Sequence, residues 1–178
     1  WQKSELKKGY DLMPNFFWIW QKEQLNEPFF HKNKNHKIIE GGKLLLNKSE
    51  EITINEYNHL GNKEKFFIKS FKKFDKIILF CVTDIIPTSL LKAIKLSQKK
   101  NNWIWLIRLH PRHGNFNLVK KKLDEFKISM KNVHIHEPTK MNLLLLLKKS
   151  THIIIDQSSV CLDAAYFNKP AICLAANK

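Results

Sequence analysis

Across its 178 residues this chain has no cysteine pair at CxxC spacing, no apolar run of membrane length and too few acids to balance its bases. Cys81, Cys161 and Cys173 lie in separate apolar segments. That argues against a disulfide frame or a zinc site, and for small core residues of a reducing compartment. A membrane span needs about 20 apolar residues, whereas no pure apolar run exceeds six residues, and the leucine run Leu143 to Leu147 has Lys140 before it and Lys148 after it. No Walker sequence, G-x-S-x-G elbow, internal repeat or low-complexity linker is present. No signal peptide is visible, so the expected location is the cytoplasm, with peripheral contact at the inner face of a membrane. The chain starts at Trp1 without an initiator methionine and stops just after an expected strand, which suggests a piece of a longer protein.

Against these gaps stand 43% hydrophobic residues, enough to bury a core, and 31 Lys and Arg against 16 Asp and Glu, a net charge of +15. The excess favours anionic partners: nucleotides, acidic glycans, anionic lipid or nucleic acid. Lysine and asparagine are also spread throughout the chain, so most of this charge reads as a solvated surface.

Trp1 to Phe30 is rich in aromatics and contains an expected strand, Phe16 to Trp20, then a turn of helix over Gln21 to Leu25. His36 to Glu40 reads as a second strand, closed by the tight turn Gly41-Gly42. Ser49 to Gly61 is polar, with Ile52 and Ile54 alternating as a possible short strand, and is taken as a boundary between residues 1–61 and 62–178. Asn62 to Asp75 has Phe67, Phe71 and Phe74 at helical spacing, which predicts a core-facing helix, with base stacking between lysines as the alternative. From there strands and helices alternate. The expected strands are Lys76 to Thr83, Trp103 to His110, Asn132 to His136, His152 to Asp156 and Ala171 to Leu174. The expected helices are Thr88 to Lys100 with Leu91, Ile94 and Leu96 inward, Leu118 to Phe126, Lys140 to Lys149, and Val160 to Phe167 with Leu162, Ala165 and Tyr166 facing the sheet. This order predicts an α/β fold, a doubly wound parallel sheet of Rossmann-like type covered on both faces.

Polar residues collect where the strands end: Thr83-Asp84, His110-Pro111-Arg112-His113, Glu137-Pro138 and Ser158-Ser159. In a 3-2-1-4-5 strand order, Thr83, His110 and Ser158 meet at the switch point, where such sheets bind ligands. Hydroxyls at a helix start suit a phosphate or carboxylate, and a histidine across the crevice can donate to the same anion. Each residue also has a plain structural job: Ser158 or Ser159 as a helix cap, Asp163 as a complement to the helix dipole, and His110-Pro111 as a strand stop. His134 and His136, alternating in a strand, would face one side, but no third ligand accompanies them and no metal is expected. A Ser158–His110–Asp156 triad lacks its elbow motif.

His110-Pro111 after a strand, Ser158-Ser159 through Asp163-Ala164, and Lys169-Pro170 ahead of a strand resemble the nucleotide-sugar domain of GT-B glycosyltransferases. The match is closest to the bacterial sialyltransferase, polysialyltransferase and capsule Kdo-transferase groups. UDP-sugar 2-epimerases and CDP-glycerol glycerophosphotransferases share the half-fold. The resemblance covers Lys76 to Leu174 and implies a metal-independent transferase of surface polysaccharide or lipooligosaccharide synthesis that needs no cofactor. Its donor would be a CMP-activated acidic sugar and its acceptor a glycan or glycolipid, with no specific nucleic acid. It implies His110 as the catalytic donor to the leaving phosphate, with Pro111 beside it. Ser158 and Ser159 would bind phosphate or the sugar carboxylate, Asp163 would take the ribose position usually held by glutamate, and Thr83 and Asp84 would lie along the phosphates. Residues 1–61 would close the acceptor-side domain, whose catalytic base lies upstream of Trp1. A UDP-sugar 2-epimerase, a glycerophosphotransferase or a non-catalytic polyanion-binding domain are the alternatives.

Overall fold

The computed structural model describes residues 16–19, 22, 37–42, 48–82, 86–111, 115–156 and 158–174. The chain divides into two compact units, 1–49 and 50–178, at the first residue of the Ser49 to Gly61 segment. In the first unit, β1 (Phe16–Ile19) and β2 (Lys37–Glu40) run parallel, from Phe16 opposite Lys37 to Ile19 opposite Glu40. The two glycines after β2 have separate reasons. A Cβ on Gly41 would collide with the Trp18 indole, and Gly42 takes a left-handed φ of 68°. The Trp18 Nε1–H then donates to the Gly42 carbonyl at 2.7 Å. The expected turn of helix over Gln21 to Leu25 lies outside the described residues apart from Lys22.

α1 (Ser49–His59) starts at the division, with all but its first residue in the second unit, where a short strand was expected. Two isoleucines do not make a strand when local chemistry favours a helix. Glu50 and Glu51 complement the dipole in the first turn, and the Thr53 hydroxyl donates back to the Glu50 carbonyl. Ile54, one of the alternating pair, is exposed. α2 (Asn62–Ser70) continues into a 3₁₀ turn, Phe71–Lys73. Phe71 is buried and stacks edge-on with Phe67 at 5.0 Å, as the periodicity predicts.

The main sheet follows: β3 (Lys76–Val82), α3 (Thr88–Ser97), β4 (Trp103–Leu109), α4 (Phe116–Glu125), β5 (Val133–His134), α5 (His136–Lys140), α6 (Leu143–Lys149), β6 (His152–Ile155), α7 (Val160–Tyr166) and β7 (Ala171–Cys173). Its order is β5-β4-β3-β6-β7, every neighbouring pair parallel. Counted from β3 this is 3-2-1-4-5, the order expected. One face buries Ile78, Phe80 and Val82 of β3 with Trp105, Ile107 and Leu109 of β4 against Leu90, Leu91 and Ile94 of α3 and Val119 and Leu123 of α4. The alternating residues Ile77, Leu79, Cys81, Ile104 and Leu106 are buried on the other face, where α6 packs on β3 and α7 on β6. Burying a side chain of this size fully stabilises by about 1.5–3 kcal/mol. The Trp105 indole is satisfied within this core by donating to Ser97 Oγ, which itself donates to the Ile94 carbonyl.

Two helices start where an asparagine caps them. Asn115 accepts from the Leu118 N–H, so α4 begins at Phe116, ahead of the expected Leu118; Asn142 accepts from the Leu144 N–H, so α6 begins at Leu143. Other expectations are corrected. The strand expected over Asn132 to His136 stops at His134, and α5 holds Glu137 and Pro138, because proline is tolerated in a first helical turn. Leu96 is exposed and Leu90 takes the inward place. In α7 the buried pair is Asp163 and Ala164, whereas Ala165 and Tyr166 face outward. β7, expected to be buried, is exposed along its length as an edge strand. Cys161 and Cys173 sit on these two elements and are exposed; only Cys81 is the core residue expected.

Candidate functional site at the carboxyl edge

The sheet's hydrogen-bond ladder continues past the strands on both sides of β3. The His110 N–H donates to the Val82 carbonyl at 3.0 Å, and the Asp156 N–H donates to the Cys81 carbonyl at 3.3 Å. His110 follows β4 and Asp156 follows β6, so the ends of the second and fourth strands flank the end of the first. Ser158 and Ser159 come next on the β6 side. Thr83 and Asp84 lie outside the described residues, as do Arg112 and His113. His110 and Ser158 are half-buried, Pro111 and Ser159 exposed.

The two serines differ in role. Ser158 Oγ accepts from the Val160 N–H at 3.3 Å and so closes the start of α7. Ser159 precedes that helix in a helical conformation, φ −63° and ψ −5°, and makes no side-chain cap bond. Asp163, one turn into α7, is only 3% exposed. Its carboxylate faces inward beneath the edge, not out along it.

A half-buried guanidinium that the sequence reading missed lies under this edge. Arg108 stands beside Cys81 in the β3–β4 register. Its Nη1 donates to the carbonyls of Pro138 at 2.6 Å, Thr139 at 3.2 Å and Met141 at 2.6 Å. The Leu109 N–H donates to Thr139 Oγ1 as well. One arginine thereby ties the end of α5 to β4. Burial pulls the Arg108 pKa below its usual range, with the neighbouring Cys81 acting the other way. Burial pushes the Cys81 thiol up to about 12; Arg108 opposes this and Asp163 adds to it. Cys81 is therefore a protonated core thiol and not a nucleophile. The available signal was a guanidinium inside the apolar run WIWLIRL, since a buried charge requires acceptors.

The two histidines considered as a metal pair part company. His134 stays in β5, with its ring 4.8 Å from the Phe67 ring and Nδ1 3.8 Å from the Glu137 carboxylate, whereas His136 starts α5. Among the described residues no group of three or more His, Cys, Asp or Glu is assembled to hold a metal, and no helix is long and apolar enough to cross a membrane.

No known family and no curated protein matches the sequence. A solved structure matches the fold: the UDP-GlcNAc 2-epimerase from Neisseria meningitidis bound to UDP-GlcNAc, with a TM-score of 0.58 and 18% identity, covering 92% of this chain and 44% of that one. At that identity the likeness is one of fold. The chain has a Rossmann-like, GT-B-type fold and spans less than half of the protein it resembles.

Proposed function

We propose that this chain supplies the nucleotide-binding half of a GT-B-type enzyme acting on a nucleotide sugar. The observation that carries the reading is the flanking of the β3 carboxyl end by His110 and Ser158 in a 3-2-1-4-5 sheet, the switch point at which open α/β sheets bind ligands. The likeness to a 2-epimerase bound to UDP-GlcNAc supports a UDP-sugar enzyme of that kind over transfer from a CMP-activated acidic sugar. The His110-Pro111 and paired-serine resemblance keeps glycosyl transfer to a glycan acceptor as the second reading.

Both readings ask the same of the residues. Breaking a sugar–phosphate bond puts negative charge on the phosphate, and positioned donors in a partly dry site stabilise that charge. His110 donates from the β4 side and the serine hydroxyls from the β6 side, without a metal. Thr83 and Asp84 follow β3 and would lie along the phosphates between them. Asp163, being buried, reaches a ribose only if the pocket extends into α7.

Titration calorimetry with UDP, CDP and CMP tests the proposal. Because the chain spans less than half of the epimerase it resembles, the readout is binding, not turnover. UDP is expected to bind saturably and more tightly than CMP, and His110→Ala to weaken it about tenfold, the loss of one hydrogen bond to a charged group. A preference for CMP would favour the transferase reading. Binding of nucleic acid alone, falling steeply with salt, would overturn both.

A further inference from the structure

We infer that the amino edge of the sheet carries a second binding site, for an anionic sugar bearing a carboxylate or a phosphate. A cavity of about 410 Å³ opens there, lined by Tyr57 of α1, Lys69 of α2, Lys72 and Phe74 around the 3₁₀ turn, Ile77 of β3 and Lys149 of α6. All of these belong to the second unit. They lie at the end of the strands opposite His110 and Ser158.

The floor is fixed. Ile77 is buried, and the Thr151 hydroxyl clamps its backbone by accepting from the Ile77 N–H at 2.8 Å and donating to the Ile77 carbonyl at 3.1 Å. Tyr57 and Phe74 are half-buried and line the cavity. Lys69, Lys72 and Lys149 are exposed at the rim, and no carboxylate lines the cavity. Neighbouring lysines are already engaged: Lys65 donates to the Asn58 carbonyl and Lys148 to Thr53 Oγ1. Among the described residues, the three rim lysines make no hydrogen bond or ion pair. Lysine in a last helical turn complements the dipole anyway, but that does not explain why lysines from separate elements converge on one hollow over aromatic rings.

Size and shape select the occupant. Small-ligand sites run to about 300–1,000 Å³, so the cavity takes one or two sugar rings. The apolar face of a sugar covers Tyr57 or Phe74, removing that surface from water, while its anion meets the ammonium groups. A nucleic-acid strand fits less well: it needs a groove and a row of exposed rings, and Phe71, the middle aromatic of this segment, is only 3% exposed.

Saturation-transfer NMR on the 178-residue chain, with glucuronate, glucose 6-phosphate and glucose as probes, tests this. Both charged sugars are expected to bind at least about tenfold more tightly than glucose, and their ranking separates a carboxylate ligand from a phosphate one. Lys69→Ala/Lys149→Ala is expected to cost about tenfold, Lys72→Glu at least as much, and Lys95→Ala/Lys99→Ala, on α3 and the turn after it, nothing. Saturating UDP should leave this binding unchanged, which keeps the result independent of the carboxyl-edge site. Equal binding of glucose and the charged sugars, no effect of the rim variants, displacement by UDP, or tighter binding of a single-stranded oligonucleotide would each overturn the inference.

Discussion

His134 shows how one side chain can combine a structural role with a pH response. Its ring packs against Phe67 in the second unit, and burial moves its pKa below the ordinary value, with Glu137 pulling the other way. The folded chain therefore favours neutral His134 where the unfolded chain takes up a proton, below about pH 6.5. Stability from this residue is complete above that pH and is lost as the pH falls through it, levelling off below the folded-state value. His152, shifted down by burial and by Lys76, adds with the same sign. Thermal melting from about pH 7.5 to about pH 5.5 is expected to show a falling midpoint, with a shallower fall in His134→Gln. An identical slope in the variant would show that His134 is as accessible to protons when folded as when unfolded. The sequence signals only that two histidines are two residues apart. What separates their roles is where the backbone leaves the strand, and Glu137-Pro138 decides that by starting a helix.

At the scale of elements, legibility follows burial. KIILFCV, WIWLIRL and HIII were readable as central strands because both faces of a parallel sheet demand continuous apolar sequence. The strand order, and with it the meeting of His110 and Ser158 at one edge, followed from the usual doubly wound arrangement. Helix phase was less legible. VCLDAAY is apolar almost all the way round, so seven residues do not reveal that Asp163 and Ala164 face the sheet. α1 is mostly polar and lacks a strong periodic signal. Least legible was the tie between Arg108 and α5, since its partners lie some thirty residues away and are backbone carbonyls. That tie predicts a measurable cost. Arg108→Met would leave the carbonyls of Pro138, Thr139 and Met141 without their donor and is expected to lower stability by about 2 kcal/mol in urea unfolding. Arg108→Lys should recover only part of it, because an ammonium lacks the planar fork. A loss under about 0.5 kcal/mol in Arg108→Met would mean that water satisfies those carbonyls instead.

At the scale of the whole molecule, the two units carry unequal shares of the core. Of the buried hydrophobic side chains among the described residues, Ile19 lies in the first unit and all the others in the second. The carboxyl-edge site and the amino-edge cavity also lie entirely within the second unit. This distribution predicts that residues 48–178 fold without the preceding segment, a start chosen to keep Ser49 at the head of α1. The expected result is a single cooperative urea transition, followed by fluorescence and circular dichroism together, with coincident midpoints. The slope should be about 1–3 kcal/mol per molar urea, that of a domain with its own core. The same fragment should bind UDP as tightly as the full chain, since His110, Ser158 and the strands that carry them are all retained. Separate fluorescence and circular dichroism midpoints would instead make the first unit part of the folding unit. A cooperative fragment that had lost UDP binding would move part of the nucleotide site into residues 1–47.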